Sequence, residues 1–397
     1  MPFVRDLAVV GGCGRVGLPL GIAFADRGLS VVAVDRNPAT VDTVRSGKMP
    51  FEEPDAAETL ERVLSTGRFS VTTEPEAISD CEYVAVVIGT PVDEHLNPDP
   101  HVVALAVEQL GPHLRPGQHV VLRSTVYPGV TRLVGQVIEG ICRDVDLSFC
   151  PERIAEGKAF IELFSLPQIV SGHDARSVER ASALFRHFTE DIVVVEPEEA
   201  ELAKLFTNTW RYIKFAAANQ MFMVANDYGL DFERVRQAMV HDYPRAQDLP
   251  GAGFAAGPCL FKDTMQLAAF NNNNFTLGHA SMMVNEGLPL YVVARLEDRF
   301  DLASSTVGIL GMAFKAESDD IRSSLSYKLK RILRFKAARV LCHDPYVTVD
   351  PDLSPLEQVL RQSDLLIIAA PHVAYASLST EKPVIDIWNL LGRGVKV

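Results

Sequence analysis

The sequence predicts an α/β protein in which two Rossmann-like, doubly wound domains are joined by a central helical region. Short apolar runs alternate with helical stretches over the first 150 residues, and the same alternation returns in the last hundred. Between them, residues 197–242 and 263–299 carry almost only the apolar spacing of helices. Alternating strands and helices build a parallel sheet with helices on both faces, so its strands should be apolar throughout.

The predicted strands are apolar runs bounded by turn residues. A helical stretch over residues 16–27, which ends at Gly28, connects the first two of them into a βαβ unit. The polar run 271–274 is predicted to be a loop between helices. The strands are expected at residues 7–10, 31–34, 83–88, 119–122, 147–149, 192–195, 306–310, 340–343, 365–368 and 384–387.

The length of 397 residues accommodates two or three domains at roughly 150 residues each. We expect them at residues 1–196, 197–300 and 301–397. At the first boundary Pro197 is followed by Glu198 and Glu199. Proline suits the first turn of a helix and acidic residues there complement the helix dipole, so a helix should begin at this point.

The composition of the chain restricts its possible binding partners and cellular location. The formal net charge of −13 argues against binding to nucleic acid or to anionic membranes, although backbone N–H groups can still hold phosphates locally. No apolar stretch is long enough to span a bilayer, and the N-terminus lacks the layout of a signal peptide. Six scattered cysteines without a CxxC pair indicate thiols in a reducing compartment. We therefore expect a cytoplasmic protein with no metal.

A glycine-rich turn predicts a dinucleotide site. Gly12-Cys-Gly14-Arg-Val-Gly17 follows a strand and opens a helix, and Asp35 closes the second strand. Gly12 should permit the tight turn, Gly14 the approach of a pyrophosphate, and Gly17 the packing of helix on strand. Asp35 should accept hydrogen bonds from ribose hydroxyls and repel a 2′-phosphate, which favours NAD, although the adjacent Arg36 weakens that preference. The alternative is a βαβ turn that binds no nucleotide.

One cysteine stands apart from the other five. Cys259 follows a Gly/Ala-rich loop and precedes a helical segment, with Lys262 and Asp263 close behind it. A helix N-terminus and a nearby lysine both favour the thiolate, so Cys259 is a candidate nucleophile, and a buried small hydrophobe is the alternative. Lys204 and Asn208, one helical turn apart, would stabilise an oxyanion or form part of a solvated stripe.

These residues lie in motifs that resemble the UDP-glucose/GDP-mannose dehydrogenase family over nearly the whole chain. The motifs are GGCGRVGLPL, VVIGTPVDE, RSTVYPGVT, FCPERIAEGKAF, ELAKLFTNTW, GFAAGPCLFKD, GMAFKAESDDIRSS and CHDPY. The resemblance implies an N-terminal Rossmann domain for NAD, a central helical dimerisation region and a C-terminal Rossmann-like domain for the nucleotide sugar. It also implies two hydride transfers. The C6 alcohol becomes an aldehyde, and a cysteine thiohemiacetal is then oxidised to a thioester and hydrolysed.

The resemblance assigns roles to residues at matching positions. Cys259 becomes the nucleophile, Lys204 and Asn208 the oxyanion donors, and Asp263 the general base or the residue that positions water, a role that Thr125 would share. Glu152 and Glu156 would line the site and assist acid–base steps. The implied cofactor-binding residues are Gly12, Gly14, Arg15, Val16, Gly17, Asp35, Arg36, Thr90, Pro91, Ser124, Thr125 and Lys262, and the implied substrate-binding residues are Glu152, Lys204, Asn208, Arg245, Gly257, Lys315 and Arg322.

Three of these assignments have structural alternatives. Glu156 would be a surface charge, Arg322 would pair with Asp319 or Asp320, and Thr125 would be an ordinary residue at a strand end. Arg245 is expected to reach into the site of a neighbouring subunit.

Departures from the family pattern leave the sugar open. Ala255 and Ala256 precede Gly257 where many members have Gly-Gly, and the histidine of N-acetylhexosamine-type members is absent before Cys259. The segment CLFKD is similar to the UDP-glucose type, whereas PERIAEGKA is similar to the UDP-N-acetylhexosamine type. We predict UDP-glucose as the substrate, with UDP-N-acetylmannosamine as the alternative.

Two other functions would account for part of the sequence. A two-electron β-hydroxyacid dehydrogenase would share the Rossmann domain and a Lys-x-x-x-Asn pair, but would need neither Cys259 nor a second α/β domain. A non-catalytic NAD-binding protein would not be expected to retain Cys259, Lys204, Asn208 and Asp263. A homodimer or larger homo-oligomer is predicted, because the helical middle carries more apolar residues than a short domain should bury, among them Phe215, Met221 and Phe222.

Overall fold

The computed structural model describes residues 2–90, 93 and 99–397, which divide into two compact units, 1–206 and 207–397. The first unit is built on an eight-stranded sheet in the order β3-β2-β1-β4-β5-β6-β7-β8. The strands are β1 Arg5–Val10, β2 Val31–Val34, β3 Phe69–Thr72, β4 Cys81–Val86, β5 His119–Leu122, β6 Asp146–Phe149, β7 Gln168–Gly172 and β8 Ile192–Val194.

The inner strands of this sheet are buried on both faces, as their apolar sequences predict. Every residue of β2 and β5 is buried, and the pairings from β3 through β6 are parallel. The sequence did not indicate β3 or β7, and β7 runs antiparallel to β6. The flanking helices are α1 Gly17–Asp26, α2 Pro38–Arg45, α3 Ala56–Ser65, α4 His101–Leu110, α5 Val130–Ile141, α6 Ala159–Ser165 and α7 Ala175–Phe185.

Helix α8 (Pro197–Asp227) begins at the predicted proline and runs for 31 residues. Near its start, the buried carboxylate of Glu201 accepts hydrogen bonds from the backbone N–H groups of Gly129 (2.6 Å) and Thr131 (2.7 Å) and from the Thr131 hydroxyl (2.6 Å). These N–H groups belong to the first turn of α5, which has no intrahelical acceptor for them. Glu201 therefore caps α5 and anchors the start of α8.

The second unit combines helices with a four-stranded parallel sheet in the order β10-β9-β11-β12. Residues 271–274 lie between two helices, as predicted. The helices are α9 Phe232–Val240, α10 Leu260–Phe270, α11 Thr276–Glu297, α12 Leu325–Lys336 and α13 Leu356–Gln362, and the strands are β9 Thr306–Leu310, β10 Arg339–His343, β11 Leu365–Ile368 and β12 Val384–Asp386.

One of the hydrophobic cores of the second unit joins its helices to its sheet. Phe222 of α8 and Leu288 and Val292 of α11 share one buried cluster with Ile309 and Ile367 of the sheet. Phe222 is fully buried, so its prediction as an apolar residue in excess of the core is wrong. Among the described residues, no helix combines the length and the apolar character that a bilayer crossing requires.

Candidate active site

The glycine-rich turn lies between β1 and α1 and is shaped by steric limits. Gly11, not Gly12, has the positive φ of 78°, so the residue that permits the tight turn precedes the predicted one. A Cβ on Gly12 would come within 2.5 Å of the Val9 carbonyl oxygen, and one on Gly17 would clash with Gly11. A Cβ on Gly14 would meet only the Gly11 carbonyl oxygen, at 3.4 Å. The exposed side of Gly14 is therefore open to a ligand.

Asp35 closes β2 beside this turn. Its carboxylate accepts hydrogen bonds from the backbone N–H groups of Cys13 and Asn37, each at 3.1 Å. These bonds fix an acceptor where a ribose would lie relative to the turn, and Arg36 is exposed next to it. Val16 occupies the N-cap position of α1.

The loops after β4 and β5 are hydrogen-bonded to each other. The Ser124 hydroxyl accepts from the backbone N–H of Ile88 at 2.9 Å, and the Thr90 hydroxyl donates to the carbonyl oxygen of Thr125 at 2.7 Å. Ser124, Thr125 and Thr90 thus meet at the carboxyl ends of neighbouring parallel strands, the edge at which dinucleotides bind in such sheets. Pro91, predicted beside them, lies outside the described residues.

Glu152 is a buried member of an ion pair that the sequence did not indicate. Its carboxylate contacts the guanidinium of Arg123, the first residue after β5, which is 1% exposed. It also accepts from the backbone N–H groups of Arg153 (2.8 Å) and Ile154 (3.1 Å). Burial alone raises the pKa of Glu152, but Arg123, the Ile154 N–H and the Lys204 ammonium together hold it below its usual value.

Glu156 lies on the same loop and faces the glycine-rich turn. Its carboxylate is 3.4 Å from Nε of Arg15, whose guanidinium lies over the Phe51 ring. The loop itself is held by Glu53, a residue that sequence reasoning missed. The buried Glu53 carboxylate accepts from the N–H groups of Gly157 (2.7 Å) and Ala159 (2.8 Å). Glu156 is therefore paired and only partly exposed, so it is not an isolated surface charge.

Cys259 is the N-cap residue of α10 and is exposed. The N–H groups of the first helical turn and the positive end of the helix dipole lie at this position, which favours a thiolate. The backbone N–H of Asp263 donates to the Cys259 carbonyl oxygen at 2.9 Å. A carboxylate and a thiol are thereby fixed one helical turn apart.

The Asp263 carboxylate is buried and doubly held. It accepts a hydrogen bond from the Asn208 amide at 2.5 Å and lies 2.9 Å from the Lys262 ammonium. Since an amide nitrogen carries two N–H groups, this bond is compatible with a second donation from Asn208 to a substrate oxygen. Lys262 was predicted to bind the cofactor, whereas its described contact is with Asp263.

Four of the remaining cysteines are buried thiols. Burial is the main influence that raises the pKa of Cys13, Cys81 and Cys150 to about 12 and that of Cys342 to about 11. Such thiols are protonated at neutral pH and unreactive. Cys142 has intermediate exposure, so Cys259 is the most exposed of the six.

The loop before Cys259 packs against the loop that follows β9. Gly257 has a φ of 106°, and a Cβ there would come within 2.6 Å of the Phe314 ring. Only glycine fits this conformation and this contact. The Gly257 N–H also donates to the Ser323 carbonyl oxygen at 3.4 Å. Two of the predicted substrate-binding segments are thus held together within the second unit.

The predicted substrate residues of the β9 loop are cationic. The Lys315 ammonium is 5.8 Å from the centre of the Phe314 ring. Arg322 is largely exposed and forms a bidentate pair with Asp320, with Nη2 at 2.6 Å and Nε at 2.9 Å from Oδ2, so its predicted structural alternative is present. Arg245 is also exposed, with its guanidinium over the Tyr243 ring.

Comparison with known families accounts for nearly all of the chain. The NAD-binding domain model of the UDP-glucose/GDP-mannose dehydrogenase family matches residues 6–189, its central domain model residues 198–286 and its UDP-binding domain model residues 308–393.

Individual relatives extend this similarity over the full length. A UDP-N-acetyl-D-mannosamine dehydrogenase of Pyrococcus horikoshii is 30% identical, with 97% of this chain and 92% of that protein covered. A protein of the same name from Yersinia pestis is 29% identical, with 97% of each covered. The structure of a UDP-glucose dehydrogenase from Pyrobaculum islandicum matches with a TM-score of 0.90 at 30% identity, covering 96% of this chain and 94% of that one.

Proposed function

The chain belongs to the UDP-glucose/GDP-mannose dehydrogenase family and is an NAD-dependent nucleotide-sugar dehydrogenase, and on this premise we propose that it oxidises a UDP-N-acetylhexosamine to the corresponding uronate. The reaction converts the C6 primary alcohol to a carboxylate in two oxidations, with Cys259 as the covalent nucleophile. The observation that carries the proposal is the exposed Cys259 at a helix N-terminus, one turn from the doubly held Asp263.

The identity of the sugar is inferred from the names of the relatives that match the full chain. Several of these are UDP-N-acetyl-D-mannosamine dehydrogenases, which favours UDP-N-acetylmannosamine over UDP-glucose, the substrate first predicted from the sequence. The structural match to a UDP-glucose dehydrogenase keeps UDP-glucose as the second candidate.

Each predicted catalytic residue has a defined task in this scheme. The Cys259 sulfur attacks the aldehyde carbon, and the resulting thiohemiacetal oxygen carries negative charge that Lys204 and Asn208 stabilise. One such donor is typically worth roughly 3 kcal/mol of barrier. After the second oxidation, water must attack the thioester carbonyl, and Asp263 accepts a proton from it or orients it. Glu152 and Glu156 assist these proton transfers, and Thr125 helps to position the water.

The residues of the glycine-rich turn fit NAD. Gly14 leaves the backbone open to a pyrophosphate, and Asp35 presents a carboxylate to the ribose hydroxyls. When bound, NAD accepts the hydride in each oxidation. Thr90, Ser124 and Thr125 are proposed to contact it from the ends of β4 and β5.

We assign three domains to these tasks, at residues 1–196 for NAD, 197–300 for subunit contacts and 301–397 for the nucleotide sugar. The domain models of the family match within each of these ranges. A cytoplasmic location is part of the proposal, in keeping with six cysteines of which none is in a disulfide in the described part of the chain.

The first test measures NADH formed per nucleotide sugar consumed, with UDP-N-acetylmannosamine and UDP-glucose side by side. We expect two NADH per sugar and a higher kcat/KM for UDP-N-acetylmannosamine, because the relatives that match the full chain carry that name. One NADH per sugar would instead support a two-electron alcohol dehydrogenase. A higher kcat/KM for UDP-glucose would show that UDP-glucose, as predicted from the sequence, is the preferred substrate.

We also propose that the protein is at least a dimer through an exposed apolar stripe on α8. The stripe consists of Trp210, Ala217, Met221 and Val224, whose spacing of seven, four and three residues places them on one helical face. Isolated apolar residues on a surface are ordinary, but several exposed apolar residues on one helical face favour an interface. Of the apolar residues singled out from the sequence, Met221 lies in the stripe and Phe222 in the core.

Light scattering at micromolar concentration should give a mass at least twice the 43.6 kDa of one chain. The double variant Met221→Glu/Val224→Glu should run as a monomer, because it places two charges in the stripe. Phe335→Glu is the matched control, since Phe335 is 90% exposed and lies on α12, outside the stripe. A monomeric wild type, or equal dissociation by the control, would refute the interface.

A further inference from the structure

Three side chains converge on the loop of residues 311–324, which connects β9 to α12. Asp344 is the first residue after β10, His372 follows β11, and Glu317 belongs to the loop itself. Because β9 lies between β10 and β11 in the sheet, the loop emerges between Asp344 and His372. The family resemblance assigns no role to these three residues.

Asp344 holds the start of the loop. Its Oδ2 accepts hydrogen bonds from the backbone N–H groups of Met312 (2.6 Å) and Ala313 (2.9 Å) and lies 3.1 Å from Nε2 of His372. Burial alone raises the pKa of Asp344, but the hydrogen bond from His372 and the N–H of Ala313 lower it to about 2. The buried carboxylate is therefore ionised and fully used as an acceptor.

His372 links Asp344 to the middle of the loop. The imidazole is fully buried, and its Nδ1 lies 3.0 Å from the backbone N of Glu317. A backbone N–H can only donate, so Nδ1 is the acceptor and the ring proton is on Nε2, directed at Asp344. One ring thus fixes the distance between the carboxylate and the Glu317 peptide.

Glu317 closes the network on the other side. Its backbone has a φ of 51°, in the left-handed region that L-residues seldom adopt without support. Its carboxylate accepts from the backbone N–H of Val373 at 2.7 Å and from the Tyr346 hydroxyl. The strained residue is therefore held by contacts from the segments after β10 and β11.

The loop that this network holds carries much of the proposed substrate site. Phe314 packs on Gly257 of the loop before Cys259, Lys315 follows Phe314, and Arg322 lies near the end of the loop. The Phe314 N–H donates to the Asp320 carbonyl oxygen at 2.9 Å, which ties the two halves of the loop together. A shift of Glu317 would move Lys315, two residues away.

We propose that His372 is a positioning residue for nucleotide-sugar binding, bridging the Asp344 carboxylate to the Glu317 peptide N–H so that the 311–324 loop presents Lys315 and Arg322 to the nucleotide sugar. The inference rests on the proposed function, in which Lys315 and Arg322 contact that ligand. His372 contacts neither the substrate nor the cofactor, and acts through the shape of the loop.

Three variants at this position separate the two hydrogen bonds. His372→Asn places an oxygen near Nδ1 and keeps an acceptor for Glu317, His372→Gln places an amide near Nε2 and keeps a donor to Asp344, and His372→Leu removes both. We expect the KM for the nucleotide sugar and the Kd for UDP to rise about 10-fold in His372→Leu, because both buried hydrogen bonds that hold the loop are lost. The asparagine variant should recover more of this loss than the glutamine variant. The KM for NAD and the kcat should stay within twofold.

A variant that creates a cavity elsewhere in the same domain is the control for a general loss of stability. Val359→Ala creates one beneath α13, where Val359 lies against Gly308 in the middle of β9 and not against the loop's hydrogen-bonded network. It should lower the Tm with an unchanged nucleotide-sugar KM. An equal rise of that KM in Val359→Ala, an unchanged KM in His372→Leu, or a parallel rise of the KM for NAD would each overturn the proposal. If His372→Leu does not fold, the contrast between the asparagine and glutamine variants carries the same test.

Calorimetric titration with UDP keeps this inference separate from the proposed function. Wild-type protein that binds UDP and oxidises the nucleotide sugar, with His372→Leu unaffected in both, would refute the role of His372 alone. Wild-type protein that neither binds UDP nor oxidises a nucleotide sugar would refute the proposed function, and the role of His372 with it.

Discussion

Replacing Cys259 by serine should reduce the rate of uronate formation by roughly 10³-fold or more, because removal of a catalytic nucleophile can cost on the order of 10⁶ in kcat. A serine hydroxyl at the N-cap of α10 preserves the helix start but is a far weaker nucleophile than a thiolate. The NADH formed per nucleotide sugar should fall below two in the variant. The measurement is single-turnover NADH absorbance together with chromatography of the sugar products.

The matched control is Cys142→Ser, since Cys142 is the other cysteine that is not buried. Its rate and stoichiometry should equal those of the wild type. Retention of two NADH per sugar by Cys259→Ser, at a rate within tenfold of the wild type, would mean that Cys259 is not the nucleophile.

Replacing Arg123 by methionine should destabilise the protein by about 3–5 kcal/mol, the usual cost of removing one partner from a buried ion pair. The Glu152 carboxylate would remain buried without its paired guanidinium, retaining the backbone N–H groups of Arg153 and Ile154 and the charge of Lys204. The Phe185 ring, 4.6 Å from the guanidinium, would also lose its cation–π contact. Urea unfolding at pH 8 followed by circular dichroism measures the loss.

The destabilisation should depend on pH in a defined direction. In the wild type the pKa of Glu152 lies below its usual value of 4.5, so the pair stabilises the fold above that pH and the contribution fades as the pH falls. Without Arg123, burial raises the pKa of Glu152. Protonation of the carboxyl then removes the cost of burying its unpaired charge in the variant. The difference in unfolding free energy between the wild type and Arg123→Met should therefore be large at pH 8 and small toward pH 4.

Two further variants test whether loss of the Arg123 charge causes the destabilisation. Arg123→Lys keeps a cation and should recover part of the loss, and the double variant Arg123→Met/Glu152→Gln should be more stable than Arg123→Met at pH 8. A difference that does not change with pH would show that packing of the arginine stem, and not its charge, stabilises this region.

The inner strands of the two sheets could be predicted from sequence because both of their faces are buried, so that nearly every residue in them is apolar. Residues 31–34, 119–122 and 306–310 are observed as β2, β5 and β9 with the predicted bounds. In contrast, β3 alternates buried and partly exposed residues, and the five-residue β7 begins with Gln168 and ends at Gly172. Pairing with a distant strand makes these segments β-structure, and that pairing has no local signature.

The same contrast applies to the site. Asp35 could be predicted because it closes the strand that follows the glycine-rich βαβ turn. Arg123 and Asp344 also come directly after strands, β5 and β10, but no such motif precedes them. Glu53 and His372 could not be predicted either, because their partners are backbone N–H groups of loops that are distant in sequence.

The distribution of thiols has a practical consequence for the durability of this enzyme. Four sulfurs are buried as protonated thiols, while the sulfur of Cys259, the proposed nucleophile, is open to solvent. Peroxide and other electrophiles react with accessible thiolates, so the first oxidative lesion would fall on the proposed nucleophile and leave the fold intact. Activity in an oxidising environment would then decay as the loss of a single sulfur, reversible by reductants as long as the damage stops at the sulfenic acid.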